Sequence, residues 1–446
     1  MFISNTRKDR EKMLEAIGVG SFRDLIKQIP EKFLYPEFKL PPEGLDEMQT
    51  ARALRALASG NKQLKSFVGA GAYERYIPAA LKALLSRGEF LTAYTPYQAE
   101  ASQGILQTIY EYQSSMSALY EMDCCNASMY DGASSFAEAV RAAVRVTGRR
   151  KVLVAQSMHP QYTQTLRTYF ANGDDLSIVE IPHKNGCIDL QKLETLLDGE
   201  TACAAVQSPN FFGMAEALDR VSALAKAKGA LFVAAADPVS LALFAPPGAQ
   251  GADFAVGEGQ SLGLPLNYGG PYLGIFTCKN EYLRQMPGRI AGMTKDKSGK
   301  RGFVLTLQAR EQHIRRDKAS SNICSNEALC ALGATIYLAL LGPEGLKELA
   351  QTNFDAAHHA AERLCAIKGV SLKFTGTFFN EFTLALPCAA DKLRTRLIEK
   401  DNIDPGLPLK SFFPDLGETL LVCATETKTE DDISRLERAI REAIAH

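Results

Sequence analysis

Three stretches of this chain hold residue types that could do chemistry. Tyr94 to Gly104 sets Tyr94, Tyr97, Gln98, Glu100, Ser102 and Gln103 around the turn at Pro96. Polar and aromatic groups at that density in a loop suit ligand contact. They equally suit a helix start, with Glu100 and Gln103 in the first turn of a helix running through Tyr110. A second stretch, Ala255 to Pro271, carries Gly257, Gly259, Gly263, Gly269 and Gly270. Glycines after a strand let a backbone approach a ligand closely. The pattern is neither a dinucleotide fingerprint nor a phosphate loop, and a tightly turned strand–loop–strand explains it as well. The third stretch is the basic run from Arg301 to Lys318, which includes Arg310, His313, Arg315, Arg316 and Lys318 and is followed by Ser320, Ser321 and Asn322. Clustered arginine suits phosphate or carboxylate. With Glu311 and Asp317 among them, the same residues also fit a solvated, salt-bridged helix face.

Other chemistry is sparse. His159 precedes Pro160 at a strand-to-helix turn, a place for a contact or a cap. His358 and His359 are adjacent on a helix and point to different faces. There is no G-x-S-x-G and no H-E-x-x-H. The ten cysteines include no C-x-x-C and no zinc spacing, so they read as buried free thiols in a reducing cytosol. No metal site is expected.

The elements that must position these stretches alternate. Short apolar strands at Lys151–Ala155, Leu176–Ile181, Ala202–Val206, Ala230–Ala235, Phe254–Val256 and Leu273–Thr277 are separated by helical segments. Those helices are Ser134–Val146, Pro160–Phe170, Asp189–Leu197 (with Asp189 as N-cap) and Leu218–Lys228. That alternation predicts βαβ units and a mostly parallel sheet covered on both faces. Helices at Asn326–Leu341 and Leu346–Ile367 follow. Strands at Val370–Phe374, Glu381–Leu386 and Thr419–Ala424, with helices Asp391–Glu399 and Thr429–Ala445, form a smaller α+β unit. Before all this, Asp9–Ile17, Ser21–Ile29 and Leu45–Ala58 read as helices, split by glycines and by Pro30, Pro36, Pro41 and Pro42. The expected organisation is a helical extension at 1–65, a large α/β domain at 66–330 and an α+β domain at 331–446.

Composition is that of an ordinary globular protein: 446 residues, 46% hydrophobic and 23% charged. Fifty basic residues against 51 acidic ones leave a net charge of −1. That gives no general bias toward nucleic acid or anionic lipid. The longest apolar run, Ala328 to Leu341, reads as a core helix rather than a membrane span. The start of the chain has no apolar segment of the signal-peptide kind, and a cytoplasmic location is expected.

Taken together, YTPYQAEASQG, VQSPNFFG (Val206–Gly213), ADFAVGEGQSLGLPLNYGGPYLG and the long segment from PGRIAGM to SNEALCAL resemble one family, the glycine-cleavage P-proteins, glycine dehydrogenase (decarboxylating). The likeness runs from about Gly69 to the C-terminus. Its length matches the first (α) subunit of members built from two related subunits. The resemblance implies an aspartate-aminotransferase-like, type I pyridoxal-phosphate fold. It also implies a complex, α2β2, that decarboxylates glycine and passes the aminomethyl group to the lipoyl arm of H-protein.

In the catalytic subunit of that family the cofactor lysine lies in a His-Lys-Thr stretch just before a GGP. The matching residues here are Gly259-Gln260-Ser261, ahead of Gly269-Gly270-Pro271. Gln260 stands where the lysine would be, and an amide cannot form a Schiff base. Lys279 and Lys295 lie beyond the turn. Asp237, at a strand end, matches the aspartate that pairs with the pyridine nitrogen and reads as a relic. No catalytic residue and no bound cofactor are therefore expected in this chain, and pyridoxal phosphate is assigned to the β subunit. Tyr94, Tyr97 and Gln98 are the first candidates for reaching over the partner's site. His313, Arg315, Arg316, Ser321 and Asn322 are the second, as a lining for anionic groups or the lipoyl entrance. Two other readings stand beside this one: an independent pyridoxal-phosphate enzyme with its lysine elsewhere, and a degenerate scaffold without catalytic role.

Overall fold

The computed structural model describes residues 5–34, 44–92, 94–171 and 176–445. It divides into two units, Met1–Gln63 and Leu64–His446.

The first unit is held by local signals. Reciprocal caps open its helices: Thr6 with Asp9 for Arg7–Ile17, Ser21 with Asp24 for Phe22–Leu25, and Asp46 with Gln49 for Glu47–Ala58. Gly18, at φ 80°, ends the first of them in the left-handed conformation. No described residue of this unit is buried, and Phe22, Phe33, Leu54 and Leu57 are exposed. The helix expected over Ser21–Ile29 is shorter, giving way to turns after Leu25. Pro30 opens a single 3-10 turn, while Pro36, Pro41 and Pro42 lie outside the described residues.

The second unit is built on a seven-stranded sheet. Its strands are β1 (Cys124–Cys125), β2 (Lys151–Ala155), β3 (Ser177–Ile181), β4 (Thr201–Gln207), β5 (Leu231–Ala235), β6 (Phe254–Glu258) and β7 (Gly274–Cys278). They lie in the order β1-β7-β6-β5-β4-β2-β3. From β6 to β3 all neighbours are parallel, and β7 runs antiparallel to both β6 and β1.

Alternation along the strands splits the side chains between two cores. Leu153, Ala204, Phe232, Ala234 and Ile275 join Tyr112, Met116, Val221 and Tyr337 on one face. Val152, Ala205, Val233, Val256 and Phe276 join Phe136, Val140 and Leu166 on the other. Both faces are covered by helices, which is why the strands read as unbroken apolar runs.

A hairpin follows, β8 (Ile290–Lys295) with β9 (Arg301–Thr306). Sequence reading did not find it. It removes the helix-face explanation of the basic run, because Arg301–Thr306 is a strand and the rest is short turns around the four-residue helix Gln312–Arg315. The helix expected from Glu100 begins later, at Gln103, and extends to Tyr120, with Glu100 in a separate 3-10 turn.

The C-terminal part carries a four-stranded antiparallel sheet of β10 (Ser371–Leu372), β11 (Glu381–Ala385), β12 (Leu407–Pro408) and β13 (Thr419–Cys423), in the order β10-β11-β13-β12. Helices Ala390–Lys400 and Glu430–Ala445 contribute Leu393, Leu397, Ile433 and Leu436 to its core. The two helices expected from Asn326 to Ile367 are both present, joined in the helical element Ala328–Cys365 at a kink where Gly342 (φ 63°, ψ −179°) leaves the helical backbone before Pro343. By length and composition alone this element could cross a membrane. Its Ala331, Ala334, Tyr337 and Ala350 pack instead into the core over the large sheet.

Candidate functional site

The C-terminal ends of β2, β4, β5 and β6 meet at one place. In open α/β sheets such strand ends are where ligands bind. The loops there bring His159, Gln207, Asp237, Glu258 and Gln260 together with a strap from Gly69 to Arg75.

The strap fills the site. The Tyr73 backbone N–H donates to the Gln260 side-chain oxygen at 2.8 Å, and the Gln260 amide nitrogen donates to the carbonyls of Tyr73 (2.9 Å) and Leu264 (2.8 Å). Gln260 is wholly buried and both ends of its amide are engaged. Tyr73 O–H donates to Glu381 at 2.8 Å, and Glu381 also accepts the Ala70 N–H at 2.7 Å. Burial pushes the Glu381 carboxyl up to about 7.

Arg75 follows, its side chain without solvent exposure. Its guanidinium lies 3.8 Å from Asp237 and 3.1 Å from Glu426, and donates to Asn353. Asp237 also accepts from the Val239 N–H at 2.8 Å. Burial raises the Asp237 carboxyl, and the Arg75 charge pulls the other way.

Glycine makes this approach feasible. A Cβ on Gly69 would meet Glu381 at 2.4 Å, and one on Gly71 (φ +96°) would meet the His159 ring at 3.0 Å.

His159 closes the pocket from the other side. Its Nδ1 accepts the Gln161 N–H at 3.1 Å, so Nε2 carries the proton and donates to the Ala70 carbonyl at 2.9 Å. The ring stacks on Tyr162 at 5.2 Å, and burial lowers its pKa, keeping it neutral. Glu258 completes the lining. It accepts N–H groups from Gly132 (2.9 Å), Gln260 (2.9 Å) and Leu273 (3.0 Å). Gly132 opens the helix Gly132–Thr147, so a carboxyl of the chain itself engages a helix N-terminus that would otherwise attract an external anion. Burial outweighs these donors and pushes Glu258 up to about 8.

The remaining cavity is about 30 Å³. That is room for a water or two. Pyridoxal phosphate would need an amine for the Schiff base, a free carboxylate for its ring nitrogen, an open anion site and space for a substituted ring. Here the amine is an amide, Asp237 faces Arg75, Glu258 takes the helix N–H, and no lining residue is a lysine. Lys279 pairs with Asp253, and Lys295 is exposed on the hairpin. The residues present do not fit the cofactor.

The second group of candidates lies at the surface. Tyr97 and His313, far apart in sequence, have ring centroids 6.4 Å apart. Between them sit Arg289 and Glu311, both buried. Arg289 donates to the Tyr97 hydroxyl at 3.4 Å with its guanidinium 5.6 Å from the ring centre, and lies 3.9 Å from Glu311. His313 Nδ1 is 3.7 Å from the same carboxylate. A buried ion pair thus holds a phenol and an imidazole that face outward, Tyr97 being 58% exposed.

The other candidates are scattered around this group. The Tyr94 hydroxyl is 3.2 Å from that of Ser325, and Gln98 is exposed before the turn Ala99–Ala101. Arg316, at φ 55°, and Asn322 are exposed, while Arg315 borders a separate cavity. Ser321 is buried, donating to Glu138 at 2.7 Å and accepting from the Ile323 N–H, a structural role. Sequence reading did not single out Tyr73, Arg75, Glu258 or Arg289. Glu258 stood inside the glycine-rich stretch, and an acid among glycines at a strand end was the available signal.

The chain matches the profile of the family described as glycine cleavage system P-protein over residues 1–440. It is 50% identical to "Probable glycine dehydrogenase (decarboxylating) subunit 1" of Desulfitobacterium hafniense over 438 residues, 98% of each chain. It is 51% identical to the protein of the same name from Prosthecochloris aestuarii over 435 residues, 97% of each. Among solved structures, an inhibitor-bound glycine decarboxylase (P-protein) of the glycine cleavage system is 43% identical, with a TM-score of 0.90 over 99% of both chains. A Lactobacillus brevis glutamate decarboxylase shares the fold, at 14% identity and a TM-score of 0.69 over 93% of this chain and 97% of that one.

Proposed function

We propose that this chain, which belongs to the glycine cleavage system P-protein family, is the cofactor-free α subunit of a two-subunit glycine decarboxylase. The observation that carries the reading is Gln260, bound at both ends of its amide to Tyr73, which itself lines a cavity of only about 30 Å³. The name shared by its relatives, subunit 1, calls for a second subunit. That subunit then supplies pyridoxal phosphate, whose chemistry is to act as electron sink for the carbanion left by decarboxylation.

This chain's own contribution is surface and shape. Tyr97 and His313, held by Arg289 and Glu311, are presented to the partner's site, where they exclude water and orient groups near the reacting carbon. Tyr94 and Gln98 lie in the same loop. The aminomethyl acceptor in this reading is the lipoyl arm of H-protein, the assembly is α2β2, and the compartment is the cytoplasm.

The test mixes purified chain, the second subunit and lipoylated H-protein, and follows carbon dioxide released from labelled glycine. Release only from the full mixture is expected. Release by this chain with pyridoxal phosphate alone would make it an independent enzyme. Full release by the second subunit without this chain would leave it a scaffold.

A further inference from the structure

A surface cavity of about 430 Å³, separate from the strand-end pocket, is bordered by Arg145, Arg284, Arg310, Arg315 and Lys318, with no acidic residue in its lining. Five cations in one concavity are conspicuous in a chain of net charge −1.

The two inner guanidiniums are fixed without carboxylates. Arg145, near the end of the helix Gly132–Thr147, donates to the carbonyls of Ser320 and Gln285, both at 2.9 Å. Arg310 donates to the carbonyls of Met286 and Gly288, and its Nε is buried without a hydrogen-bond partner. The nearest acids that act on them are otherwise engaged. Glu138 accepts from Ser321, and Glu311 is shared by Arg289 and His313. Burial lowers the pKa of both arginines, which an anion in the cavity would offset. Arg284, Arg315 and Lys318 stand exposed at the rim with no ion pair among the described residues.

We infer that this cavity binds a small anion carrying two or more phosphate charges. The carbonyls hold these two guanidiniums in place as fixed positive charge with N–H groups to spare, and the exposed rim cations supply the forks and ammonium that can meet phosphate oxygens. The volume is in the range of small-molecule sites, which favours a free metabolite-sized anion over a stretch of acidic polypeptide. The inference is independent of where the cofactor binds, since none of these residues lines the strand-end pocket.

Calorimetric titration of the full chain with pyrophosphate at about 0.15 M ionic strength, where surface charge is screened beyond ~8 Å, tests it. One saturable site is expected. Arg315→Ala and Lys318→Ala should each weaken it about tenfold, the scale of one charge-assisted contact. Lys297→Ala, on the exposed hairpin turn, should leave it unchanged. Thermal unfolding of each variant checks that it folds. Absence of saturable heat overturns the inference, as does equal weakening by Lys297→Ala. Binding of polyglutamate without any binding of pyrophosphate would assign the cavity to a protein partner and overturn it too.

Discussion

The pocket at the ends of the parallel strands and the Tyr97–His313 patch use the same groups to opposite ends. Each pairs an arginine with a carboxylate and sets aromatic rings beside them. In the pocket, the chain's own strap occupies the site and engages Gln260 and Glu381, while Arg75 Nη2 and Asp237 Oδ2 lie 3.8 Å apart as an ion pair without a hydrogen bond. In the patch only the ion pair is buried, and the rings face solvent. That contrast separates the part of the chain that has become structure from the part left available to a partner. A site filled by the chain's own strap has become structure. A buried charge pair that supports exposed rings costs desolvation without an internal beneficiary, so its beneficiary is sought outside the chain.

The contrast is broken most severely at Arg75. Arg75→Leu leaves Asp237 and Glu426 without their buried cation, and should cost about 3–5 kcal/mol in urea unfolding. Adding Asp237→Asn should restore part of the loss. A neutral result for the single variant would mean the pocket is not a locked core.

The next effect is pH dependence. Glu258 and Glu381 titrate at about 8 and about 7 in the folded chain, against 4.5 ordinarily. Between those values the native chain holds protons that the unfolded chain has lost. Their contribution to stability is therefore full below about pH 4.5 and is lost as pH rises through 7 and then 8. Glu258→Gln should flatten that slope, and an unchanged slope would refute the assignment. Gly71→Ala, forced into a left-handed backbone against the His159 ring, should cost about 1–3 kcal/mol.

The smallest stability effects are predicted at the patch. Tyr97→Ala and His313→Ala should each change unfolding free energy by no more than about 0.5 kcal/mol, while lowering the rate of glycine decarboxylation by the assembled enzyme. Variants that unfold the chain, or that leave the rate untouched, would erase the distinction between the two regions.

Much of the framework was legible in the sequence because of its physics. Lys151–Ala155 and Thr201–Gln207 lie between two helical layers, and burial on both faces writes a continuous apolar run. Asp189 caps its helix as expected, accepting from Gln191 and Lys192. The hairpin from Ile290 to Thr306 was not legible, since its two strands bury only Ile290, Ala291 and Phe303 and show no period-two burial along their length.

At the site, Asp237 at a strand end and Gln260 in the glycine-rich stretch could be picked out locally, and the resemblance pointed to both. Tyr73 and Arg75 were not, because the strap reaches the pocket through contacts distant in sequence that no local pattern encodes. The meeting of Tyr97 with His313 was hidden for the same reason. Two separate candidate stretches were visible, and only folding joined them.

The most direct test of the central claim, that the cofactor belongs to the partner, is to reduce the assembled, cofactor-loaded enzyme with borohydride, separate the subunits and locate the pyridoxyl-lysine by mass spectrometry. The label is expected on a lysine of the second subunit, with none on this chain. A stoichiometric adduct on any lysine of this chain would contradict it.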